Sequence, residues 1–308
     1  MKSYIFGPVL SRRLGRSLGV DVIPSKTCPF DCVYCEQGKT TSLSSEINDW
    51  VPIQDVIRDI KNSLHTNPDY ITISGSGEPT LYSRLGELIK EIKSFTSIPV
   101  AVITNGALLW KREVQDALLS ADLVMPSLDA GDEEVYKKIN KPVKEISLDL
   151  IISGLIEFKK RYKGIYWLEV FFVEGINTEI SQVKKISLIA NKINPDKILI
   201  NTIKRPPSVK SARTVSSEKL LEIQSIFGSK AEIIPDLKSD EHNSNSEITV
   251  KDVINLLQRR PCTILEISNG LHAKPDKVQI IIDHLLSQNT ILKVMIDNNL
   301  YYQLTTPS

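Results

Sequence analysis

The sequence predicts an α/β fold in which six short strands and intervening helices form a parallel sheet or barrel, followed by a small domain of helices and a hairpin. Three observations carry that prediction. Apolar runs rich in β-branched residues alternate with longer stretches of helical period, the pattern of βαβ units. Asp236 to Glu247 reads DLKSDEHNSNSE, which has almost nothing to bury and marks a linker. The chain has 308 residues, 41% hydrophobic and 24% charged, which suits two globular domains and excludes a disordered or collagenous chain. The expected units are residues 1–235, the linker 236–247 and residues 248–308.

In order, the predicted strands are residues 18–24 (LGVDVIP), 70–75 (YITISG), 99–104 (PVAVIT), 122–128 (DLVMPSL), 166–173 (YWLEVFFV) and 197–202 (KILINT). Amphipathic helices lie between them. Over 53–64, Ile53, Val56, Ile57, Ile60 and Leu64 recur at three and four positions, so one face covers the sheet and the charges stay outside. Beyond the linker, 249–259 and 263–271 read as short helices. KPDKVQIIIDHLLSQ then places Val278, Ile281, Ile282 and Leu285 on one face of a third. ILKVMIDNNLYYQL alternates like a hairpin around Asn298 and Asn299. Three helices and a hairpin in this order resemble a winged helix.

Lys plus Arg number 38 against 37 for Asp plus Glu, so the net charge of +1 offers nucleic acid or an anionic membrane no long-range attraction. From Ser246 onward six acids face six bases. DNA binding is therefore not expected, although Lys274, Lys277, Gln279 and His284 suffice for a few phosphate contacts. The first residues lack an apolar signal core, and nowhere do 18 uncharged apolar residues run together. The expectation is a soluble, cytoplasmic protein with no membrane partner. Four cysteines, three within eight residues, are too few and too clustered for a disulfide framework.

Cys28-Pro-Phe-Asp-Cys32-Val-Tyr-Cys35 leaves the first predicted strand at what would be the carboxyl end of a parallel barrel, where such folds place their active sites. Thiolates four and three positions apart on a tight loop can hold three corners of a four-iron cube. One iron then lacks a protein ligand, and an open position is what distinguishes a catalytic metal from a structural one. A structural zinc needs a fourth ligand. The remaining cysteine, Cys262, lies beyond the linker, and the nearest histidine is His65. A packing role sits badly beside Asp31 and Glu36, since buried cysteines do not usually cluster on a polar turn.

This spacing, with Tyr34 before the last cysteine, resembles the signature of the radical S-adenosylmethionine (SAM) superfamily. The resemblance implies an incomplete (β/α)6 barrel with the winged-helix-like domain behind it, a [4Fe-4S] cluster on Cys28, Cys32 and Cys35, and SAM as second cofactor, with Tyr34 among its contacts. Ser74-Gly75-Ser76-Gly77-Glu78-Pro79 corresponds to the Gly-Glu-Pro element that meets the SAM amino group, which assigns Gly75, Gly77, Glu78 and Pro79. Glycine lets a backbone approach a ligand closely and take dihedrals other residues avoid. Thr104 and Asn105, ending the third strand, and Ser127 with Asp129, ending the fourth, would contact the ribose and carboxylate. The implied chemistry is reductive cleavage of SAM to a 5′-deoxyadenosyl radical that takes hydrogen from a substrate, with flavodoxin or ferredoxin as electron donor.

The flanking segments FGPVLSRRLGRSLGVDVIPSKTCPFDCVYCEQGKTT, YKKINKP, WLEVFFVEGIN and INTIKRPP resemble the branch that contains the wyosine-type tRNA-base synthases, which implies a tRNA or other RNA base as substrate. Those synthases hold a second cluster on cysteines upstream of the signature, and no cysteine precedes Cys28. The alternatives are a protein or peptide substrate, as in activation of a glycyl-radical enzyme, and a regulator that senses through its cluster. A mere sensor gives Glu78, Asn105 and Asp129 no purpose. Candidate substrate groups are Arg12, Arg13 and Arg16 before the first strand and Lys204 and Arg205 after the sixth, because guanidinium forks suit phosphate or carboxylate. Glu169 belongs inside the barrel or on its rim. Lys138 and Lys141 are Schiff-base candidates or ordinary surface lysines. His284 and His272 read as packed or solvent-facing, and Cys262 as a core thiol or a catalytic one reaching the barrel.

Overall fold

The computed structural model describes residues 3–235, 248–271, 273–296 and 299–305; the predicted linker lies outside them, as do His272 and Asn298. The main sheet has eight strands in the order β1-β2-β5-β6-β7-β8-β9-β10. β1 (Ile5–Ser11) and β2 (Gly15–Val20) form an antiparallel hairpin. From β2 onward every neighbour is parallel: β5 (Tyr70–Ile73), β6 (Val100–Thr104), β7 (Leu123–Pro126), β8 (Ile165–Phe172), β9 (Lys197–Thr202) and β10 (Ala231–Ile233). β3 (Thr27–Cys28) and β4 (Ser42–Leu43) make a two-residue parallel pairing that ties down the start of the cysteine loop.

The six predicted strands are β2 and β5 to β9, each followed by helix. α1 (Ile53–Ser63), α2 (Leu85–Phe95), α3 (Arg112–Leu118), α4 (Glu133–Ile139) with α5 (Leu148–Arg161), α6 (Ile180–Ile193) and α7 (Ser217–Phe227) follow in that order. Ser147, Ser216 and Asp132 each accept a backbone N–H at a helix start, satisfying donors the helix itself leaves open. Two edge strands escaped the sequence reading. β1 contains Gly7-Pro8, which reads as a break because proline cannot join a ladder from the sheet interior, and β10 has only three residues. β2 also starts earlier than predicted, at Gly15, because β1 extends its pairing, and it stops at Val20, where buried Asp21 turns to an ion pair with Arg259.

Alternation along the strands separates two apolar layers. One set, including Leu18, Ile71, Val100, Val102, Leu168, Val170, Ile198 and Ile200, packs against the helices. Ile53, Val56, Ile57 and Ile60 of α1 belong to that layer, as their spacing predicts, and burying each fully contributes about 1.5–3 kcal/mol. The intervening residues face the other way: Leu14, Ala101, Leu123, Met125, Leu199 and Ile234 form a separate plug with Trp167 at its margin. The sheet is open, yet strongly curled. β2 and β8 are four steps apart, which in a flat sheet is roughly 19 Å, and still Arg13, beside β2, forms an ion pair with Glu169 on β8.

The C-terminal residues form α8 (Val250–Leu257), α9 (Ile264–Leu271), α10 (Pro275–Ser287) and the antiparallel pair β11 (Ile291–Ile296) and β12 (Asn299–Leu304). Thr249 and Asp252 close a reciprocal capping box at the start of α8. Val278, Ile282 and Leu285 share one buried cluster with Val253, Leu256, Cys262 and Tyr302, and Val9 of β1 is part of that cluster. The C-terminal unit is thereby seated on the first strand of the sheet. Among the described residues no helix is long and apolar enough to cross a membrane.

Candidate active site

The carboxyl ends of β5, β6 and β7, the cysteine loop and the turn between β1 and β2 surround one cavity of about 300 Å³. Its wall has two chemically distinct halves. Cys28, Cys32, Tyr34 and Cys35 face it together with Gly75, Gly77, Glu78, Pro79, Thr104, Asn105 and Ser127. On the other side stand Arg12, Arg13, Arg205 and Arg260, with Glu36, Glu169 and Asn201.

In the sulfur half, donors are aimed at the sulfurs. Asn105 Nδ2 lies 3.3 Å and the Phe30 amide 3.5 Å from Cys28 Sγ, and Asn140 Nδ2 lies 3.4 Å from Cys32 Sγ. Burial raises all three thiols above their ordinary range, Cys35 to about 11, so they need a cation to become thiolates. Among the described residues no set of three His, Cys, Asp or Glu side chains converges closely enough for a single metal ion. Three cysteine sulfurs facing one cavity suit a [4Fe-4S] cluster that leaves one iron open.

The loop is held from outside. Asp31 and Val33 donate backbone N–H bonds to the carbonyls of Asn140 and Ile139, at 3.0 and 2.9 Å, and Val143 donates to Pro29 at 2.9 Å. Ser208 Oγ donates to the Cys32 carbonyl at 2.7 Å, and Val209 N to the Val33 carbonyl at 3.1 Å. Ile139 and Asn140 of the YKKINKP segment, and Ser208 and Val209 immediately after INTIKRPP, therefore brace the cysteine loop. Tyr34 stacks on Phe171 with ring centroids 3.9 Å apart and donates its hydroxyl to Asp129. Asp129 itself lies behind the loop, outside the cavity wall, and also accepts Asn140 Nδ2 at 2.8 Å and the Phe171 amide at 3.0 Å. Asp129 thereby orders Tyr34 and Asn140 beside the cysteine loop.

Glu78 is fully engaged: Oε1 accepts from Thr80 N, Thr80 Oγ1 and Thr104 Oγ1, and Oε2 from Asn105 N at 2.8 Å. Burial still raises its carboxyl above the usual range, with those bonds pulling it down. The glycines are required here by the protein's own packing. A Cβ on Gly75 would sit 2.3 Å from Asp21 Cγ, and one on Gly77 2.3 Å from the Thr27 carbonyl, while neither residue has a positive φ. The expected need for unusual dihedrals is thus not met, and the close approach present here is to the protein's own Asp21 and Thr27.

In the other half, Glu169 lies inside the curl, pairing with Arg13 and accepting Asn201 Nδ2 at 2.9 Å. Arg205, nearly fully buried, bridges Glu36, at 3.0 Å, and Glu266 of α9. Burial alone would raise both carboxyls; Arg205 and the neighbouring arginines hold them below their usual range. Arg259 donates to Asp21, beneath the glycine turn, and to the Ser3 carbonyl at 3.1 Å. Asn140, Ser208, Arg259 and Arg260 went unassigned in the sequence reading; of these only Asn140 lies in a segment already singled out, with Ser208 directly after another.

Other candidates fall away. Arg16 donates to the Thr66 carbonyl at 2.6 Å, outside the wall, which also excludes Lys204. Lys138 pairs with Glu134 on an exposed helix face, and Lys141 is exposed. His284 is exposed. Cys262 is a buried core thiol whose backbone pairs with Tyr302, away from the cavity.

Residues 22–198 match the Radical SAM superfamily. A Brachyspira hyodysenteriae protein described as GTPase Obg is 39% identical over 303 residues, covering 97% of this chain but only 45% of that protein. A UPF0026 protein of Methanocaldococcus jannaschii is 31% identical, with 96% of this chain and 94% of the relative covered. Among solved structures, a radical SAM methyltransferase from Sphaerobacter thermophilus superposes with a TM-score of 0.56 at 13% identity, over 70% of this chain and 65% of that one, a likeness of fold. The superfamily's cofactors are a [4Fe-4S] cluster and SAM, and the sulfur half of the cavity suits them. The chain belongs to the radical SAM superfamily and, within it, to the UPF0026 proteins.

Proposed function

We propose that this radical SAM enzyme holds its cluster on Cys28, Cys32 and Cys35, binds SAM against Gly75 to Pro79, Thr104, Asn105 and Ser127, and takes a hydrogen atom from a substrate in the arginine half of the same cavity. The observation that carries the reading is the convergence on one cavity of three thiols, the Gly-Glu-Pro turn and two further strand ends. When bound, the cluster and SAM supply the 5′-deoxyadenosyl radical. The chain supplies position: Asn105 and Asn140 donate to sulfurs, and Glu78 locks the turn to the end of β6. An RNA base is the proposed substrate. The support is the segment resemblance to wyosine-type synthases and a winged-helix-like order in the C-terminal unit, with the absence of an upstream cysteine arguing for a different base chemistry. A flavodoxin or ferredoxin would deliver the electron, in the cytoplasm, where thiols stay reduced.

Anaerobic reconstitution with iron, sulfide and dithionite should yield a protein that releases 5′-deoxyadenosine from SAM. Cys32→Ser should lose the cluster absorbance and that product together. Release undiminished in Cys32→Ser would refute the cluster assignment. Nucleoside profiles that do not differ between cells with and without the protein would remove the RNA-base reading. A stable partner protein carrying a radical signal would put a protein substrate in its place.

A further inference from the structure

We propose that Arg12, Arg13, Arg205 and Arg260 form a site for an oxyanion of the substrate, a phosphate or carboxylate, and that the C-terminal unit completes it. The proposal deepens the reading of this cavity as a substrate chamber and rests on it. Arg12 and Arg13 come from the turn between β1 and β2, Arg205 from just after β9, and Arg260 from the turn between α8 and α9. No sequence motif unites them; the curl of the sheet and the docking of the C-terminal unit do.

Among the described residues, the guanidinium groups facing this half of the cavity outnumber the nearby carboxylates by one once Glu266, behind Arg205, is counted. Four guanidinium groups share the wall with two carboxylates, Glu36 and Glu169. Glu169 is taken by Arg13 and Asn201, and Glu36 by Arg205, whose other arm reaches Glu266. Arg260 acts on Glu36 and Glu266 only from beyond contact distance among the described residues, and Arg205 Nε is buried without a hydrogen-bond partner. Crowding shows in Arg13, which burial first and then Arg12, with Arg205 and Arg260 adding, push down to about 10 against the opposing pull of Glu36. An incoming oxyanion relieves that repulsion and matches the guanidinium forks, which bind planar or tetrahedral oxygens two at a time. Arg260 is also placed firmly: its neighbour Arg259 is anchored on Asp21 and the Ser3 carbonyl, so the turn that carries both is fixed to the end of β2.

The test is calorimetric titration of the cluster-reconstituted protein at saturating SAM with sodium pyrophosphate in one arm and glutarate in the other. Saturable binding of at least one is expected, weakened about tenfold in Arg260→Ala, further in Arg260→Glu, and unchanged in Arg112→Ala, an exposed residue of α3. Preference for pyrophosphate assigns a phosphate, preference for glutarate a carboxylate. Cluster absorbance and melting temperature in each variant report whether the fold is intact. No saturable binding by the wild type, equal binding by a folded Arg260→Ala, or displacement of the anion by SAM would overturn the site. Release of 5′-deoxyadenosine in the same samples separates the two readings. Release without anion binding defeats the oxyanion site alone; anion binding without release supports the site and defeats the catalytic reading.

Discussion

Cys28, Cys32 and Cys35 reach the cavity from eight consecutive residues, whereas Arg12, Glu169, Arg205 and Arg260 reach it from four separate segments. The sulfur half is held largely by backbone: hydrogen bonds from 31, 33 and 143 to neighbouring carbonyls, and glycines whose missing Cβ atoms admit Asp21 and Thr27. The arginine half is held by buried ion pairs, one of which, Arg205 to Glu266, joins the sheet to the C-terminal unit. Backbone bracing is indifferent to pH and specific to one conformation. Ion-pair bracing depends on every partner being present and ionised, because a buried charge left alone keeps its desolvation cost and loses its compensation.

The largest expected effect follows from that dependence. Arg205→Met should destabilise the protein by roughly 3–5 kcal/mol in denaturant titration, since it leaves the partly buried Glu36 and Glu266 without their main partner. In the wild type Arg205 and its neighbours hold both carboxyls below the usual glutamate range. A carboxyl whose folded pKa is depressed contributes stability above its unfolded pKa and loses it as pH falls toward the folded one. Wild-type stability should therefore decline below about pH 4.5. In Arg205→Met, burial is less opposed and the carboxyls shift upward toward their unfolded pKa, so the variant, less stable at neutral pH, should show a shallower acid decline than the wild type. Superimposable pH–stability curves would show that the arginine half is not held by charge.

A smaller loss is expected on the sulfur side. Gly77→Ala places a methyl 2.3 Å from the Thr27 carbonyl and 2.5 Å from Ile23 Cγ2, next to Cys28. Overpacking of this kind costs about 1–3 kcal/mol, and the displaced backbone should lower iron content after reconstitution without altering the acid limb of the stability curve. A shifted acid limb in Gly77→Ala would mean that the two halves are not mechanically separate.

The same contrast explains what the sequence disclosed. The cysteine spacing, the Gly-Glu-Pro turn and the strand ends are short contiguous signals, and their order along the chain maps directly onto neighbouring strands of a parallel sheet. Glu169 was visible as a polar residue in an apolar strand, but its inward direction depends on how far the sheet curls. Arg260 looked like one more base in a neutral domain, because its place depends on Arg259 finding Asp21, 238 positions away. Asn140 sat in a noticed segment, yet its contact with Cys32 needs the loop after α4 to fold back onto the cysteine loop. β1 was hidden by Gly7-Pro8, and the glycine argument found the right residues for a partly wrong reason, the close neighbour being Asp21 or Thr27.

The smallest expected effect concerns Lys138, which the sequence admitted as a Schiff-base candidate. Its ammonium is paired with Glu134 on the solvent side of α4, four residues apart along the helix, and the cavity wall does not include it. An exposed pair of this kind contributes little, and an amine kept protonated by a carboxylate neighbour is a poor nucleophile. Lys138→Ala should therefore leave the melting temperature, the iron content and 5′-deoxyadenosine release unchanged, and borohydride in the presence of cell extract should trap no adduct at this position. A trapped adduct, or loss of turnover with the cluster intact, would move the substrate out of the arginine half and onto the far side of the cysteine loop, where α4 begins the segment that braces it.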